Sequence, residues 1–253
     1  MKITILGTGT SQGVPVIACQ CSVCTSTDPR DKRLRVSVLI EHKGKNIVID
    51  SGPDFRYQML RAGVKRLDAI IFTHEHKDHV AGLDDIRAFN YSQQEALNVY
   101  AHKRVHESLK REFHYAFAEY KYPGIPLINL VEIDNFRFSI DGIDILPIEV
   151  MHLKLPVLGF RIGDFTYITD AKTITETEKR KIAGSKILIL NALQKDPHIS
   201  HFTLDEAIEF ARDAGAEKTY FTHMSHKMGK HEEVSALLPP DIYLAYDQLV
   251  FEV

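Results

Sequence analysis

Residues 74–79 read His-Glu-His-Lys-Asp-His and contain four potential metal ligands within six positions. The apolar run Ala69–Phe72 and then Thr73 precede them. A strand that ends in such a cluster leaves its imidazoles and carboxylate on a loop, where they can converge on a metal. Histidine is a common ligand of transition metals, and aspartate supplies a hard oxygen. The stretch therefore predicts a metal centre at the end of a strand, with an ordinary polar loop as the alternative.

Three further residues lie in the same kind of place later in the chain. His152 follows the strand-like Ile143–Val150, Asp170 ends the run from Phe165, and His223 follows another apolar run. Rigid sheets commonly present functional groups from the loops at their strand ends. Each of the three could alone be a polar strand end, a turn former or a surface histidine.

The order His74-x-His76-x-Asp78-His79 resembles the signature of the metallo-β-lactamase fold superfamily of two-metal hydrolases. The resemblance implies an αββα four-layer sandwich and two catalytic divalent metals, with a hydroxide that bridges them as the nucleophile. The implied ligands are His74, His76 and His152 at the first metal, Asp78, His79 and His223 at the second, and Asp170 between the two. Because all of these ligands are histidine or aspartate, manganese, zinc and iron are all chemically reasonable.

The three cysteines of the chain, Cys19, Cys21 and Cys24, fall in one short segment. Here the sequence resembles the phosphonate-operon cyclic phosphodiesterases, a subgroup in which such a segment binds a structural zinc together with a later histidine. The resemblance implies His226, three residues after His223, as the fourth ligand. Three separate reduced thiols are the alternative, and a disulfide is disfavoured because the chain is expected to be cytoplasmic.

Two more residues are candidates for a part in the chemistry. His201 precedes a predicted helix in a segment that resembles the part of the family's phosphodiesterases whose histidine contacts substrate or acts as a general acid, and His198 competes with it. Asp50 ends a strand in Ile-Asp-Ser-Gly. It could fix the tautomer of a ligand histidine or simply form the turn before Gly52.

Several local expectations can be checked against the structure. Asp54, Thr175 and Thr203 are polar residues of the kind that cap helices. The stretch Ile242–Phe251 reads as a strand with an interruption. The glycines near residue 7 lead into Val-Pro rather than a helix, which excludes a dinucleotide-binding fingerprint.

The remaining histidines are expected at the surface because they lie among charged residues. They are His42, His102, His106, His114 and His231.

Composition favours a globular enzyme. The 253 residues are 44% apolar, and we expect a single domain over 1–253. The net charge of −3 gives no general reason to bind nucleic acid. The first apolar run is too short for a signal peptide and no run reaches transmembrane length, so we expect a cytoplasmic protein without a membrane partner. A homodimer is expected by analogy with the subgroup.

Four functions remain open. The first is a two-metal phosphodiesterase for small or cyclic phosphodiesters, with Asp78 and His201 among its catalytic residues. The second is a tRNA 3′-end endonuclease of the same fold, although no long Gly/Pro-rich arm and no basic charge are present. The third is a hydrolase of carboxylic esters, lactones or thioesters. The fourth, a metal-binding protein without activity, would be expected to lack one of the ligands.

Overall fold

Two seven-stranded β-sheets contain the strands in the part of the chain that the structure, a computed structural model, describes: residues 1–120 and 122–253. In chain order the strands are β1 (Lys2–Gly7), β2 (Ser37–His42), β3 (Lys45–Ile49), β4 (Ala69–Ile71), β5 (Leu97–Ala101), β6 (Ile128–Glu132), β7 (Phe138–Ile140), β8 (Ile143–His152), β9 (Leu155–Ile162), β10 (Phe165–Ile168), β11 (Ile187–Asn191), β12 (Lys218–Thr222), β13 (Ile242–Leu244) and β14 (Val250–Glu252). The first sheet has the order β14-β1-β2-β3-β4-β5-β6, and the second has the order β13-β12-β11-β10-β9-β8-β7.

The helices cover the outer faces of the two sheets. They are α1 (Phe55–Ala62), α2 (Lys77–Val80), α3 (Arg87–Gln93), α4 (Lys103–Glu112), α5 (His114–Phe117), α6 (Glu176–Arg180), α7 (Leu204–Ala214) and α8 (His231–Ser235). Short 3₁₀ helices span Pro29–Asp31, Leu83–Ile86 and His226–Met228. Among the described residues, no helix has the length and apolar character that a membrane span requires.

Side chains that alternate along each strand pack into different layers of the core. In β2, Val38 and Ile40 pack between the sheets, whereas Leu39 packs against the helices of the first sheet. In β11, Ile189 faces the first sheet and Leu188 faces α7. Successive strand side chains point to opposite faces, so a strand that is buried on both faces is apolar throughout. This arrangement is the predicted αββα sandwich.

Parallel pairing brings many strand ends to one edge. Strands β3 to β6 are mutually parallel, as are β10 to β13. Strand β8 is antiparallel to β9, which is antiparallel to β10, so β8 and β10 run in the same direction. The carboxyl ends of these strands therefore lie at the edge where α/β sheets usually bind their ligands.

Two of the three predicted helix caps are present. Thr203 forms a full capping box with Glu206, and Thr175 accepts a hydrogen bond from the backbone N–H of Glu178. Asp54 does not cap α1 through its side chain. Its carboxylate instead accepts the backbone N–H of Arg35 at 2.8 Å and pairs with the same residue's guanidinium.

The C-terminal stretch Ile242–Phe251 is not a single interrupted strand. It forms β13 in the second sheet and β14 in the first. Between them Gln248 takes a left-handed backbone conformation, with φ of 73°, and its N–H donates to the carbonyl of Ile5 at 2.7 Å. The segment therefore crosses from one sheet to the other and joins their edges.

The expectation that His231 and His106 are exposed is wrong, because both are buried. The His231 Nδ1 lies 3.3 Å from a guanidinium nitrogen of Arg33, which also donates to Thr8 and to the carbonyl of Ala245. A buried guanidinium needs several acceptors, and a neutral imidazole supplies one of them.

Acid should destabilise the fold through His231. Burial, and then the guanidinium groups of Arg33 and Arg30, lower the pKa of His231 from 6.5 to about 4. Below pH 6.5 the unfolded chain takes up a proton that the folded protein excludes, so the free energy of unfolding falls between about pH 6.5 and pH 4. The variant His231→Asn retains an acceptor for Arg33. On acidification its free energy of unfolding should fall by about 1–2 kcal/mol less than that of the wild type.

Urea unfolding of the wild type and the variant at pH 7.5 and pH 5 measures this difference. The matched control is His114→Asn, since His114 is exposed. Its stability should follow the wild type. An equal loss of stability on acidification in the wild type and His231→Asn would contradict the assignment to His231.

Candidate active site

The residues that the sequence singles out lie at the ends of strands. Asp50 follows β3, the 74–79 motif follows β4, His152 ends β8, Asp170 follows β10 and His223 follows β12. Asp50, Asp170 and His223 all take left-handed backbone conformations, with φ of 62°, 57° and 55°. Such conformations cost roughly 1–3 kcal/mol each for residues with a side chain, and they concentrate at functional sites.

Two glycines allow the motif loop to pack against the chain that follows β3. A Cβ atom on Gly52 would lie 2.0 Å from the carbonyl oxygen of Asp78, and one on Gly82 would lie 2.2 Å from the carbonyl oxygen of Gly52. The N–H of Ser51 donates to the carbonyl of His79 at 2.8 Å. Any larger residue at either glycine would push Asp78 and His79 away from the other strand ends.

The three histidines predicted for the first metal come together. The ring centroids of His74 and His76 lie 4.6 Å apart, those of His76 and His152 5.2 Å apart, and those of His74 and His152 6.0 Å apart.

The residues predicted for the second metal also meet. Ligand atoms of Asp78, His79 and His223 lie within 4.8 Å of one another. Asp170 lies between the groups, with an oxygen 3.3 Å from His79 Nε2 and another 3.3 Å from His223 Nε2. Asp170 also lies within the same limit of His74 and His79. The cluster is thus continuous rather than two separate triads.

Hydrogen bonds to the Nδ1 atoms orient three of the imidazoles. The Oδ2 of Asp50 lies 2.7 Å from His79 Nδ1. His74 Nδ1 lies 3.0 Å from the hydroxyl of Thr73, which donates to Asp50, and His152 Nδ1 donates to the carbonyl of Ser200 at 2.8 Å. Each bond places a proton on Nδ1 and leaves Nε2 as the free acceptor, as metal-binding histidines require.

Asp50, for which the sequence left two interpretations, has features of both. Asp50 is completely buried, adopts a turn conformation and contacts a motif histidine through its carboxylate. Thr73 was not singled out from the sequence. Its backbone N–H and hydroxyl both donate to Asp50. Its place directly before the motif was the signal available.

The donor set fits metal ions. The Nε2 atoms of His74, His79 and His223 are buried and have no hydrogen-bond partner among the described residues. Buried polar atoms are almost always satisfied, so three unpartnered nitrogens that face two carboxylates indicate a ligand. Imidazole nitrogens and carboxylate oxygens suit zinc, manganese and iron.

Charges in the cluster shift one another's pKa. Burial alone would lower the pKa of His79, but the carboxylates of Asp78, Asp170 and Asp50 outweigh it and raise that pKa well above its ordinary value. Burial raises the pKa of Asp170, and the charges of the neighbouring histidines reverse this effect and hold it well below the usual range. Burial, followed by His79, keeps the pKa of His74 well below 6.5. The cluster therefore requires positive charge next to its carboxylates.

His201 lies against the cluster, and His198 lies farther out. The ring of His201 is 4.4 Å from that of His152 and 4.9 Å from that of His223, whereas the ring of His198 lies 5.1 Å from that of His201, tilted by 39°. The Nδ1 of His201 is buried and unpartnered among the described residues. Burial, then His223, lowers the pKa of His201 to about 3.

The cysteines converge on His226 at a second place. Its Nδ1 lies 3.3 Å from the sulfur of Cys19 and 3.5 Å from those of Cys21 and Cys24. The backbone N–H of Cys24 lowers the pKa of the Cys21 thiol to about 6, whereas burial raises the pKa of Cys24 to about 11. Three sulfurs and one nitrogen form the Cys₃His set that structural zinc favours.

A family model for a beta-lactamase superfamily domain matches residues 45–224, more than half of the chain. The chain belongs to this superfamily. Its two sheets with outer helices are the metallo-β-lactamase fold.

A solved structure of a new diphosphatase from the PhnP family supports a narrower placement of this chain within the superfamily. The two structures match with a TM-score of 0.93 and 39% sequence identity, over 100% of this chain and 97% of the diphosphatase chain. The neighbour confirms the resemblance to the phosphonate-operon subgroup. Together with the family match it identifies the chain as a metal-dependent hydrolase.

Two curated relatives are longer than this chain. The octanoyltransferase of Porphyromonas gingivalis (strain ATCC BAA-308 / W83) is 41% identical over 252 residues, which are 98% of this chain and 51% of that protein. A ribonuclease Z of Clostridium acetobutylicum is 27% identical over 191 residues, which are 70% of this chain and 58% of that protein. The chain thus spans about half the length of these relatives.

The cysteine cluster generates a direct prediction. Cys21→Ser should lose one tightly bound zinc per chain and lower the melting temperature by about 5–10 °C, because the site joins residues about 200 positions apart. Metal analysis by mass spectrometry and a thermal melt check both. Ser22→Ala, an exposed neighbour, is the control. An unchanged zinc content and melting temperature in Cys21→Ser would show that the cysteines are ordinary thiols.

Proposed function

We propose that this chain is a two-metal phosphodiesterase that hydrolyses a P–O bond of small phosphodiesters. The carrying observation is the buried cluster in which the unpartnered Nε2 atoms of His74, His79 and His223 face Asp78 and Asp170. The similarity to a diphosphatase, which also acts at phosphorus, supports the choice of substrate class.

The ligand set is part of the proposal. His74, His76 and His152 would hold one divalent metal, Asp78, His79 and His223 the other, and Asp170 would contact both. When bound, two such metals supply Lewis acidity to the phosphoryl oxygen and lower the pKa of a water. Asp50 fixes the proton of His79 on Nδ1, and the hydroxyl of Thr73 does the same for His74. We further propose a structural zinc at Cys19, Cys21, Cys24 and His226.

His201 is proposed to protonate the leaving oxygen. It lies against His152 and His223 and has an unpartnered Nδ1 within the cluster. A bound phosphate adds negative charge beside this imidazole and so raises its pKa from about 3 toward the range in which histidine exchanges protons. His198 contacts His201 rather than the cluster and is better placed to orient it.

A nuclease function has weaker support. The identity to ribonuclease Z is 27%, and the net charge of −3 provides no excess of cations for a polyanionic RNA. An ester or thioester hydrolase would use the same cluster. A panel of chromogenic phosphodiesters, phosphomonoesters, lactones and thioesters, tested with manganese, zinc and iron, separates these functions. The proposal requires preference for the phosphodiesters.

Asp170→Asn should keep the fold and lower the turnover of bis(p-nitrophenyl) phosphate at least about 100-fold, because the amide removes charge that both metals need. The matched control is Asp164→Asn, at the other end of β10 and far from the cluster. Metal content should fall in Asp170→Asn and stay constant in the control. Near-normal activity of Asp170→Asn at saturating metal would refute the assignment.

His201→Ala should slow substrates with poor leaving groups most. We expect a loss of about 10²–10⁴-fold for an alkyl leaving group, which needs a proton, and a much smaller loss for nitrophenolate. A series of methyl phosphodiesters whose leaving groups range from p-nitrophenolate to methoxide measures this dependence. His198→Ala is tested for comparison. An equal loss of turnover for all leaving groups would show that His201 is not the general acid.

A further inference from the structure

Asn191 places a polar side chain at the end of β11, a strand that is otherwise apolar. Strand β11 lies inside the second sheet, where it pairs with β10 on one side and β12 on the other. All residues of β11 are buried, and Asn191 has no exposed surface. A buried amide without hydrogen bonds destabilises a protein, so the partners of Asn191 indicate its role.

The Asn191 amide bonds to the backbone of Ala171, the residue directly after Asp170. The Ala171 N–H donates to Asn191 Oδ1 at 2.7 Å, and Asn191 Nδ2 donates to the Ala171 carbonyl at 2.9 Å. Paired strands exchange both N–H···O bonds between two residues in the same way. The ladder between β10 and β11 ends at Ile168, so the side chain continues the pairing past the last residue of the strand.

The backbone of Asp170 needs such support because it is strained. Its φ of 57° is left-handed, and a residue with a side chain keeps that conformation only where its surroundings enforce it. The hydroxyl of Thr169 donates to Asp170 Oδ2 at 2.6 Å, which orients the carboxylate but leaves the backbone free to relax. The two bonds of Asn191 fix the peptide groups on either side of Ala171, and one of these peptides joins Ala171 to Asp170.

Ala171 also connects Asp170 to the segment that carries His201. The Ala171 carbonyl accepts a second hydrogen bond at 2.9 Å, from the N–H of Phe202, which directly follows His201. A carbonyl oxygen has two lone pairs, so it can accept from Phe202 and Asn191 together. A displacement of Ala171 would therefore move both the proposed bridging ligand and the proposed general acid.

We propose that Asn191 is a positioning residue, which holds the carboxylate of Asp170 where it can contact both metals. This inference rests on the ligand set of the proposed function. Asn191 acts through the backbone of Ala171 rather than through a ligand's side chain. Residues that orient metal ligands in proteins typically contribute about 10–100-fold to metal affinity or activity.

A matched control comes from the opposite end of the same two strands. The hydroxyl of Thr166, in β10, lies 2.7 Å from that of Ser185, just before β11, and both residues are buried. Thr166→Val thus removes a buried hydrogen bond between these two parts of the chain, as Asn191→Leu does, but far along the strands from Asp170.

The test titrates metal-depleted protein with manganese and follows the free ion by electron paramagnetic resonance. Manganese prefers oxygen and imidazole ligands to thiolates, so the cysteines compete little for it. Asn191→Leu should raise the Kd of manganese at least about tenfold, and Thr166→Val should leave it within about twofold. At saturating manganese, kcat for bis(p-nitrophenyl) phosphate should fall about tenfold in Asn191→Leu, with KM within about threefold of the wild type, because the substrate's own contacts remain.

Thermal melts separate positioning from a general loss of stability. Asn191→Leu and Thr166→Val should both lower the melting temperature, since each removes buried hydrogen bonds. Only the first should weaken manganese binding. Asn191→Ser, whose shorter side chain cannot bond to both groups of Ala171, carries the same expectation and replaces the leucine variant if that variant does not fold.

The outcomes distinguish this inference from the proposed function. Wild-type manganese affinity in the Asn191 variants, or equal weakening in Thr166→Val, would overturn the positioning role and leave the proposed function standing. The expected changes in manganese affinity, in a protein that hydrolyses no phosphodiester, would support the positioning role and refute the proposed function.

Discussion

Three carboxylates that share one buried cluster impose the constraint on which the rest of this site depends. Removing an ion from water costs several kcal/mol even after relaxation, so each carboxylate must meet opposite charge or good hydrogen-bond donors. Asp50 has Thr73 and His79 as donors. Asp78 and Asp170 face imidazoles whose Nε2 atoms lack partners among the described residues. A metal ion supplies the missing positive charge at the place where these atoms converge, and proton uptake by the histidines competes with it.

The two sheets hold these residues in place despite their strained backbone conformations. Asp50, Asp170 and His223 are held in left-handed conformations that ordinary turns leave to glycine or asparagine. Each follows a strand whose side chains are largely buried, Asp170 after one intervening residue, and parallel pairing fixes the register of β3, β10 and β12 with their neighbours. A shift of one residue would expose a buried row of side chains, so the strand cannot slide to relieve the strain.

The sequence predicted which residues converge where the contact is local or where a strand precedes it. The convergence of the proposed ligands follows from the motif and from the family order of His152, Asp170 and His223. The sequence failed where one residue depends on a distant partner. His231 is buried because it accepts from Arg33, almost 200 positions earlier, and nothing in its charged surroundings indicates this. Asp54 resembles a helix cap but is held by Arg35, and the last strand-like stretch divides because both sheet edges need a partner.

The segment Thr222–Lys227 connects the two clusters. Within six residues it carries a proposed catalytic ligand, a carbonyl that accepts from the N–H of Thr10 and a cysteine-facing imidazole. Because a strained residue, His223, begins the turn, the backbone beyond it needs an external tether to keep one conformation. The contacts of His226 with the cysteines provide that tether at the far side of the turn. A bound zinc there would therefore act on the chemistry through backbone position, by holding His223 toward the proposed metals.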